Sequence, residues 1–412
     1  MCHREEIWTQ QRMDKHSKIT CDIVVAGAGI AGLLATVAFG RLGLRVVCAD
    51  PNIPMTKPDT NVTDIRTTAI LQPSIEFLKS INVWQSLVSH ATPLQRLRII
   101  EAGQKSSQLV RDFDASEISD AAFGWNVSNP VLLHELLVRV QKLDNVDFLS
   151  ETEVVDVFSQ HSGAKVILSD GRHVGTKLVI GCDGRDSKIR EIARIPTITR
   201  RYGQKVLAFS VTHPIPHENS STEIYVDEGP FTLVPQADFE GCPSSAVVWM
   251  QKGRNAIASL SQSVPEFEDA ITERSLSLFG PLKLISPRVI WPVTCQIATR
   301  FAAQRVALLA EAAHVLPPIG AQGLNMSIAD LRVLVDLAGQ HSQDLGSLAM
   351  LNSYHRIRIH DIRIRSTAID LLNRLTMSNN TLLHRIRATG LSVVHDWAPV
   401  RHGIMRFGLG IG

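Results

Sequence analysis

The segment Gly27-Ala28-Gly29-Ile30-Ala31-Gly32 directly follows the apolar run CDIVVA and directly precedes LLATVAFGRL. Glycine at the first position permits a very tight turn, at the second lets the backbone approach a pyrophosphate, and at the third allows close strand–helix packing. The helix that opens there presents unpaired N–H groups, which together with its dipole favour an anion. A second apolar run, LRVVCAD, ends at Asp50, whose carboxylate can accept bonds from a ribose diol. Strand, glycine turn, helix and strand in this order predict a βαβ unit and an α/β fold. The plainer reading is a tight turn in another kind of α/β protein, with Asp50 as a solvated strand end.

Val24 to Phe39 is also the longest apolar stretch, but it is broken by glycines and flanked by Asp22 and Arg41, too short to span a membrane. A basic-leaning prefix could imitate a signal peptide; the glycine spacing explains the stretch better. The 412-residue chain carries a formal net charge of only +2, so no global field draws it to nucleic acid. Its six cysteines lie far apart without a CxxC pair or a zinc spacing, which predicts no metal site and a reducing, cytoplasmic setting.

Residues 1–20 are polar and predict a flexible extension, followed by a first nucleotide-binding part over 21–199. Within it, Arg66 to Ile81 reads as a helix, and Asn129 reads as the N-cap of another, with Pro130 in its first position. Short strands are predicted at Asp147 to Leu149, Glu153 to Phe158 and Lys165 to Leu168, the last turning through Asp170-Gly171. Between 200 and 299 the texture changes to runs such as VLAFSV, TEIYV, FTLVP and AVVWMQ, which predict an inserted sheet-built substrate domain. The αβ texture returns over 300–347, with the strand RVALLA, a Gly/Pro loop and a helix from about Leu324. Residues 348–412 predict a helical C-terminal region, although HRIRIHDIRIR alternates as a strand would.

Two further motifs stand at strand ends. Cys182-Asp183-Gly184-Arg185-Asp186-Ser187-Lys188-Ile189-Arg190 follows KLVIG; on physics alone it is an Asp-Gly turn and a short capped helix. Ala310-Glu311-Ala312-Ala313-His314 through Pro317-Pro318-Ile319-Gly320 to Gly323-Leu324-Asn325 follows RVALLA. There a strand delivers a carboxylate, a rigid loop passes a planar ring, and a helix N-terminus can stabilise negative charge at that ring. His314 reads either as a structural histidine or as a functional one.

Taken in order, the three motifs resemble those of the FAD-dependent aromatic hydroxylases, the para-hydroxybenzoate hydroxylase superfamily. Similarity to the ubiquinone-biosynthesis hydroxylase branch is carried by Arg66-Thr67-Thr68-Ala69-Ile70 with LQPSIEFLKSINVW, by VSNPVLLHELL, and by Trp397 to Arg406. The resemblance implies an α/β fold in which a Rossmann-like FAD-binding domain is interleaved with a β-sheet substrate domain, plus C-terminal helices. It implies FAD contacts at Gly27, Gly29, Gly32, Asp50, Arg66, Asn129, Asp183, Glu311, Gly323, Leu324 and Asn325. The backbone of Pro318 and Gly320 would border the oxygen site. The implied reaction is hydroxylation of a polyprenylated phenol through a flavin C4a-hydroperoxide, with O2 as co-substrate and NAD(P)H as electron donor. Implied partners are a hydrophobic phenol, a ubiquinone-biosynthesis complex and the inner face of the membrane.

One departure is that the usual Gly-Asp is here Ala310-Glu311, so the ribityl contact needs a shift of the backbone. The phenol-activating group cannot be assigned among Tyr202, Tyr225 and Tyr354. Hydroxylation of a small aromatic acid would need a pairing arginine in the sheet domain, and the strands from Gln204 to Gln251 have none. A flavin-binding protein without hydroxylase activity is the other alternative, separable by substrate-stimulated oxygen uptake. From Leu383 to Gly412 four arginines and one acid alternate with apolar residues, which predicts docking on an anionic membrane or, alternatively, packing on the flavin domain.

Overall fold

The computed structural model describes residues 18–53, 65–102, 108–226, 229–377 and 395–409. The runs IVVA, VVCA, LVIG and VAL lack polar alternation, and each forms a strand buried at every residue: Ile23–Ala26, Val46–Ala49, Leu178–Gly181 and Val306–Leu308. Strands covered on both faces pair in parallel between helices. Here Val306–Leu308, Leu178–Gly181, Ile23–Ala26 and Val46–Ala49 lie side by side in that order, all parallel, with Val146–Leu149 beyond them. The three motifs therefore leave the carboxyl ends of three adjacent strands, where ligands of open α/β sheets bind.

The second sheet has nine strands and packs its layers on opposite sides. Its order runs His314–Val315, Val289–Ala298, Thr197–Thr212, Cys242–Lys252, Pro230–Phe239, Ser220–Tyr225, Arg96–Ala102 and Gln108–Asp114, with Lys283–Leu284 on Thr197–Thr212. Three of these strands come from outside the expected 200–299 span: His314–Val315 at one end, and Arg96–Ala102 with Gln108–Asp114 at the other, where Arg96–Ala102 pairs in parallel with Ser220–Tyr225. One face, with Leu207, Phe209, Ile224, Phe231 and Val247, is covered by Phe267 and Ile271 of helix Val264–Arg274. The other face carries Val206, Met250 and Val293, which pack on Ile319 of the third motif and Ile369 of the long C-terminal helix.

Several local expectations change. Residues 1–17 lie outside the described residues, but Lys18–Thr20 is a strand paired with His173–Thr176, so the extension does not reach residue 20. Arg66 to Ile81 is not one helix: Thr67–Leu71 is a strand paired with Gly124–Ser128, and the helix is Gln72–Ser80. The β-branched Thr67 and Thr68 and the proline at 73 agree with that division. Ser128, not Asn129, precedes the helix Asn129–Val140, and the Asn129 side chain is turned elsewhere. HRIRIHDIRIR is helical within Leu348–Met377, because Arg358, Ile359, Ile362 and Ser366 reach the core at helical spacing.

The C-terminal helix Ala398–Leu409 lies against the edge of the nine-stranded sheet. Arg401 pairs with Glu117 at 2.6 Å, Asp396 stands 3.8 Å from Arg111, and the His395 ring meets Phe113 edge-on. Part of the basic charge expected to face a membrane is thus neutralised within the chain. Arg385, Arg387, Leu391, Val393 and Val394 lie outside the described residues.

Candidate active site

The glycine loop separates its three glycines by what surrounds each. A Cβ on Gly27, whose φ is +99°, would sit 2.4 Å from the Cys182 carbonyl oxygen, and one on Gly32 would sit 1.9 Å from the Gly27 oxygen. Both positions are closed by backbone. A Cβ on Gly29 would meet nothing within 4 Å. This opening lies at the N-terminus of helix Ile30–Arg41, where free N–H groups and the dipole attract a phosphate. Asp50 ends the neighbouring strand and holds the loop, its carboxylate accepting from Ala28 N at 2.6 Å and Asn52 N at 2.8 Å.

Asp183 is used inside the chain. It accepts from Ser187 Oγ at 2.6 Å and from Ile189 N at 2.9 Å, while Ser187 caps the short helix by accepting from Arg190 N. Arg190 then donates to the carbonyls of Arg185 and Ala312 at 2.9 and 3.0 Å. The second motif thus fastens the third.

In the third motif the chain leaves Val306–Leu308 through Ala310, whose φ of +57° is left-handed backbone that a side chain strains. Glycine at this position would adopt that angle freely. Ala310→Gly is therefore expected to stabilise the fold by about 1 kcal/mol in urea unfolding, and a loss of stability would contradict this account of the turn. Glu311 is exposed beside it. The loop then runs past Pro318 and Gly320 into helix Gln322–Gln340, which starts two residues before Leu324. Gly323 has open space where a Cβ would be. Asn325 is turned to the chain: it accepts from Leu71 N at 2.9 Å and donates to the carbonyls of Ala69 and Ala321.

Asn129 accepts from Thr68 Oγ1 at 2.8 Å, and its N–H bonds to the Arg66 carbonyl, so the two residues flank one crossing. The Arg66 guanidinium stands 6.0 Å from the ring centroid of Trp291, reaching from the nucleotide domain to the nine-stranded sheet.

Behind the loop lies a buried ionic chain that sequence periodicity does not reveal. His314 Nε2 is 2.6 Å from Asp330 Oδ2, Arg358 donates to Asp330 Oδ1 at 2.5 Å and to Asp361 at 2.9 Å, and Arg365 joins Asp361 to Gln322. Burial opposes the Asp330 charge, but His314 and Arg358 overcome it and hold its carboxyl below the usual range. His314 is thereby placed in a structural network. A cavity of about 250 Å³ opens beside Asn325, Arg332 and Arg358. Arg358 Nη2 is buried there without a partner among the described residues, which ordered water in a polar cavity of that size would satisfy.

A family model described as an FAD binding domain matches residues 20–363. The chain belongs to this FAD-binding family. It is similar to ubiquinone hydroxylase UbiL of Rhodospirillum rubrum, 27% identical over 94% of this chain and 89% of that protein. It is also similar to the 3-demethoxyubiquinol 3-hydroxylase of Escherichia coli, 23% identical over 95% and 98%. The crystal structure of p-nitrophenol 4-monooxygenase PnpA from Pseudomonas putida superposes with a TM-score of 0.78 at 17% identity, covering 96% and 99%, and shows the shared fold. The enzyme class is that of an FAD-dependent monooxygenase. FAD suits the residues present: the open Gly29 position admits a pyrophosphate, and the loop to helix Gln322–Gln340 supplies an edge for the ring.

The three tyrosines of this monooxygenase are sorted by their surroundings. Tyr354 is buried in the nucleotide domain and donates to the Leu308 carbonyl, and Tyr202 donates to Asp370 of the long helix. Tyr225 lies on the inner face of the sheet and donates to Glu223 at 2.7 Å.

Proposed function

We propose that the protein hydroxylates the aromatic ring of a polyprenylated phenol in ubiquinone biosynthesis, inserting one oxygen atom from O2. The observation that carries this reading is the apolar seam where the sheet meets the third motif: Val206 and Met250 pack on Ile319, and Val248, Trp291 and Leu316 beside them, on either side of Pro318, stay only partly buried. Such a surface accepts an apolar ring and tail. An aromatic acid would want an unpaired arginine, but the arginines of strands Arg96–Ala102 and Gln108–Asp114 have carboxylate partners: Arg96 with Asp114, Arg98 with Asp112, Arg111 with Asp396. The names of the curated relatives support the same choice.

When bound, FAD supplies O2 activation and oxygen transfer. The chain's own part is to seat the pyrophosphate at Gly29, offer Glu311 to the ribityl chain, border the ring with Pro318, Gly320, Gly323 and Leu324, and exclude water with the apolar lining. NAD(P)H is the electron donor in this reading, and a ubiquinone-biosynthesis complex is the expected assembly. Quinone intermediates in cells lacking the protein test it: an accumulated precursor missing one ring hydroxyl is expected, and an unchanged quinone profile would count against it.

A prenylated substrate must be collected from lipid, and we place the docking face on the long helix at the inner face of the membrane. Among the described residues no helix is long and apolar enough to cross a membrane. Ile357, Ile364 and Leu371 recur every seven residues and are 50%, 59% and 59% exposed, with Arg356 and Arg363 exposed beside them. An apolar stripe bordered by arginines suits an anionic interface, where each arginine adds about 1 kcal/mol. Ile364→Glu is expected to weaken binding to phosphatidylglycerol vesicles at least about tenfold, and equal co-sedimentation of both proteins would contradict the assignment.

A further inference from the structure

We propose that Glu223, held by Tyr225, is the base that takes the proton from the hydroxyl of the substrate phenol. This rests on the reading of the protein as a phenol hydroxylase. Glu223 belongs to strand Ser220–Tyr225, where Ile224 points into the helix-covered core. Alternation along a strand therefore turns Glu223 and Tyr225 to the opposite face, toward the FAD domain. Cross-strand pairing carries that face from Glu223 to Thr232 and on to Val248, which packs on the cluster containing Leu316 and Ile319. Two strand spacings, about 10 Å, thus separate the carboxyl's strand from the lining beside Pro318, a distance a substituted phenol ring and its hydroxyl can bridge.

The same face keeps room for a ligand. Thr232, Val234, Val248 and Glu223 are only half-buried although they look inward, while Tyr225 is buried. Partial loss of solvation pushes the carboxyl above the usual carboxylate range, whereas the Tyr225 hydroxyl opposes that rise by favouring the ionised form. A less acidic carboxyl is a better match to a phenol proton. Among the described residues, the ionisable neighbours on this face are Glu101, opposite Tyr225, and Arg111, beyond Ile99 and directed to Asp396; strand Pro230–Phe239 offers no charge opposite Glu223. Arg66 stands with Trp291 at the far end of the face.

The step is a proton transfer. The phenol O–H bond breaks, its electron pair stays on oxygen and spreads into the ring, and an O–H bond forms on Glu223. No electrons change hands, and Glu223 releases the proton to water before the next substrate. The ring so charged is the one that accepts an oxygen atom most readily.

The test uses chemically reduced holoenzyme mixed with oxygenated buffer and either a short-chain 2-prenylphenol or its more acidic ring-fluorinated analogue. Glu223→Gln, with FAD content unchanged, is expected to slow product formation about 10²- to 10⁴-fold at neutral pH. The loss should shrink at least about tenfold with the fluorinated phenol, which needs less help to ionise. Wild type should lose rate as pH falls and Glu223 is protonated; Glu223→Gln should lack that limb and gain rate toward the phenol's own pKa. Tyr225→Phe should keep the limb but move it to higher pH, because the bond that favours the charged carboxylate is gone. A Glu223→Gln rate equal to wild type, or an equal loss with both phenols and an unmoved pH profile, overturns the assignment alone. Absence of any hydroxylated product from wild type overturns the hydroxylase reading and this proposal with it.

Discussion

Asp330→Ala is expected to destabilise the protein by about 3–5 kcal/mol, because it removes the buried carboxylate shared by His314 and Arg358 and leaves the Arg358 charge with Asp361 alone. Asp330 is fully buried, and Arg358 is 5% exposed. The penalty comes from a buried guanidinium left with Asp361 alone more than from the lost attraction, so Asp330→Ala with Arg358→Leu should recover part of it. The pH dependence has a fixed sign. The folded carboxyl sits below its unfolded value, so its contribution is complete above the ordinary carboxylate range and is lost as pH falls through the folded pKa. Urea unfolding of holoenzyme across pH checks both points. Wild type should lose more stability than Asp330→Ala on acidification; parallel curves would contradict the role given to this carboxylate.

Gly29→Val should leave a folded, colourless protein. Among the described residues no atom lies within 4 Å of the new Cβ, and the glycine's φ of −65° is open to any residue, so the fold itself has no reason to object. It fills the approach to the helix N-terminus, where phosphate must lie within hydrogen-bond reach of the backbone. Gly32→Val is the contrasting case: its Cβ would overlap the Gly27 carbonyl, and the packing of strand on helix would fail. Absorbance of bound flavin and circular dichroism separate the two. Full FAD occupancy in folded Gly29→Val would remove the glycine loop from the cofactor site.

The parts of the fold legible in the sequence are those whose physics is local. Each glycine of the first motif answers to a turn, an opening or a close approach within a few residues, and the strands Ile23–Ala26 and Val46–Ala49 are apolar throughout. Thr67–Leu71 is less legible because its partner, Gly124–Ser128, lies more than fifty residues away. Gly124 was the available signal, since a Cβ there would lie 2.5 Å from the Ile70 oxygen. The same applies to Arg96–Ala102, whose place in the second sheet depends on a parallel partner at Ser220–Tyr225. HRIRIHDIRIR alternates as a strand would, but Asp330 captures Arg358 and the helix wins. The run TEIYV reads plainly as a strand; which of its faces meets substrate follows from where helix Val264–Arg274 packs, and no window of sequence contains that.

The hydroxylase reading is tested most directly by isotope transfer in a single turnover. Reduced holoenzyme, supplied with a 2-prenylphenol and ¹⁸O-labelled O2, should give a ring-hydroxylated product carrying one ¹⁸O atom, with none incorporated from labelled water. Reoxidation of the flavin with the phenol recovered unchanged, or a product oxygen drawn from water, would contradict it.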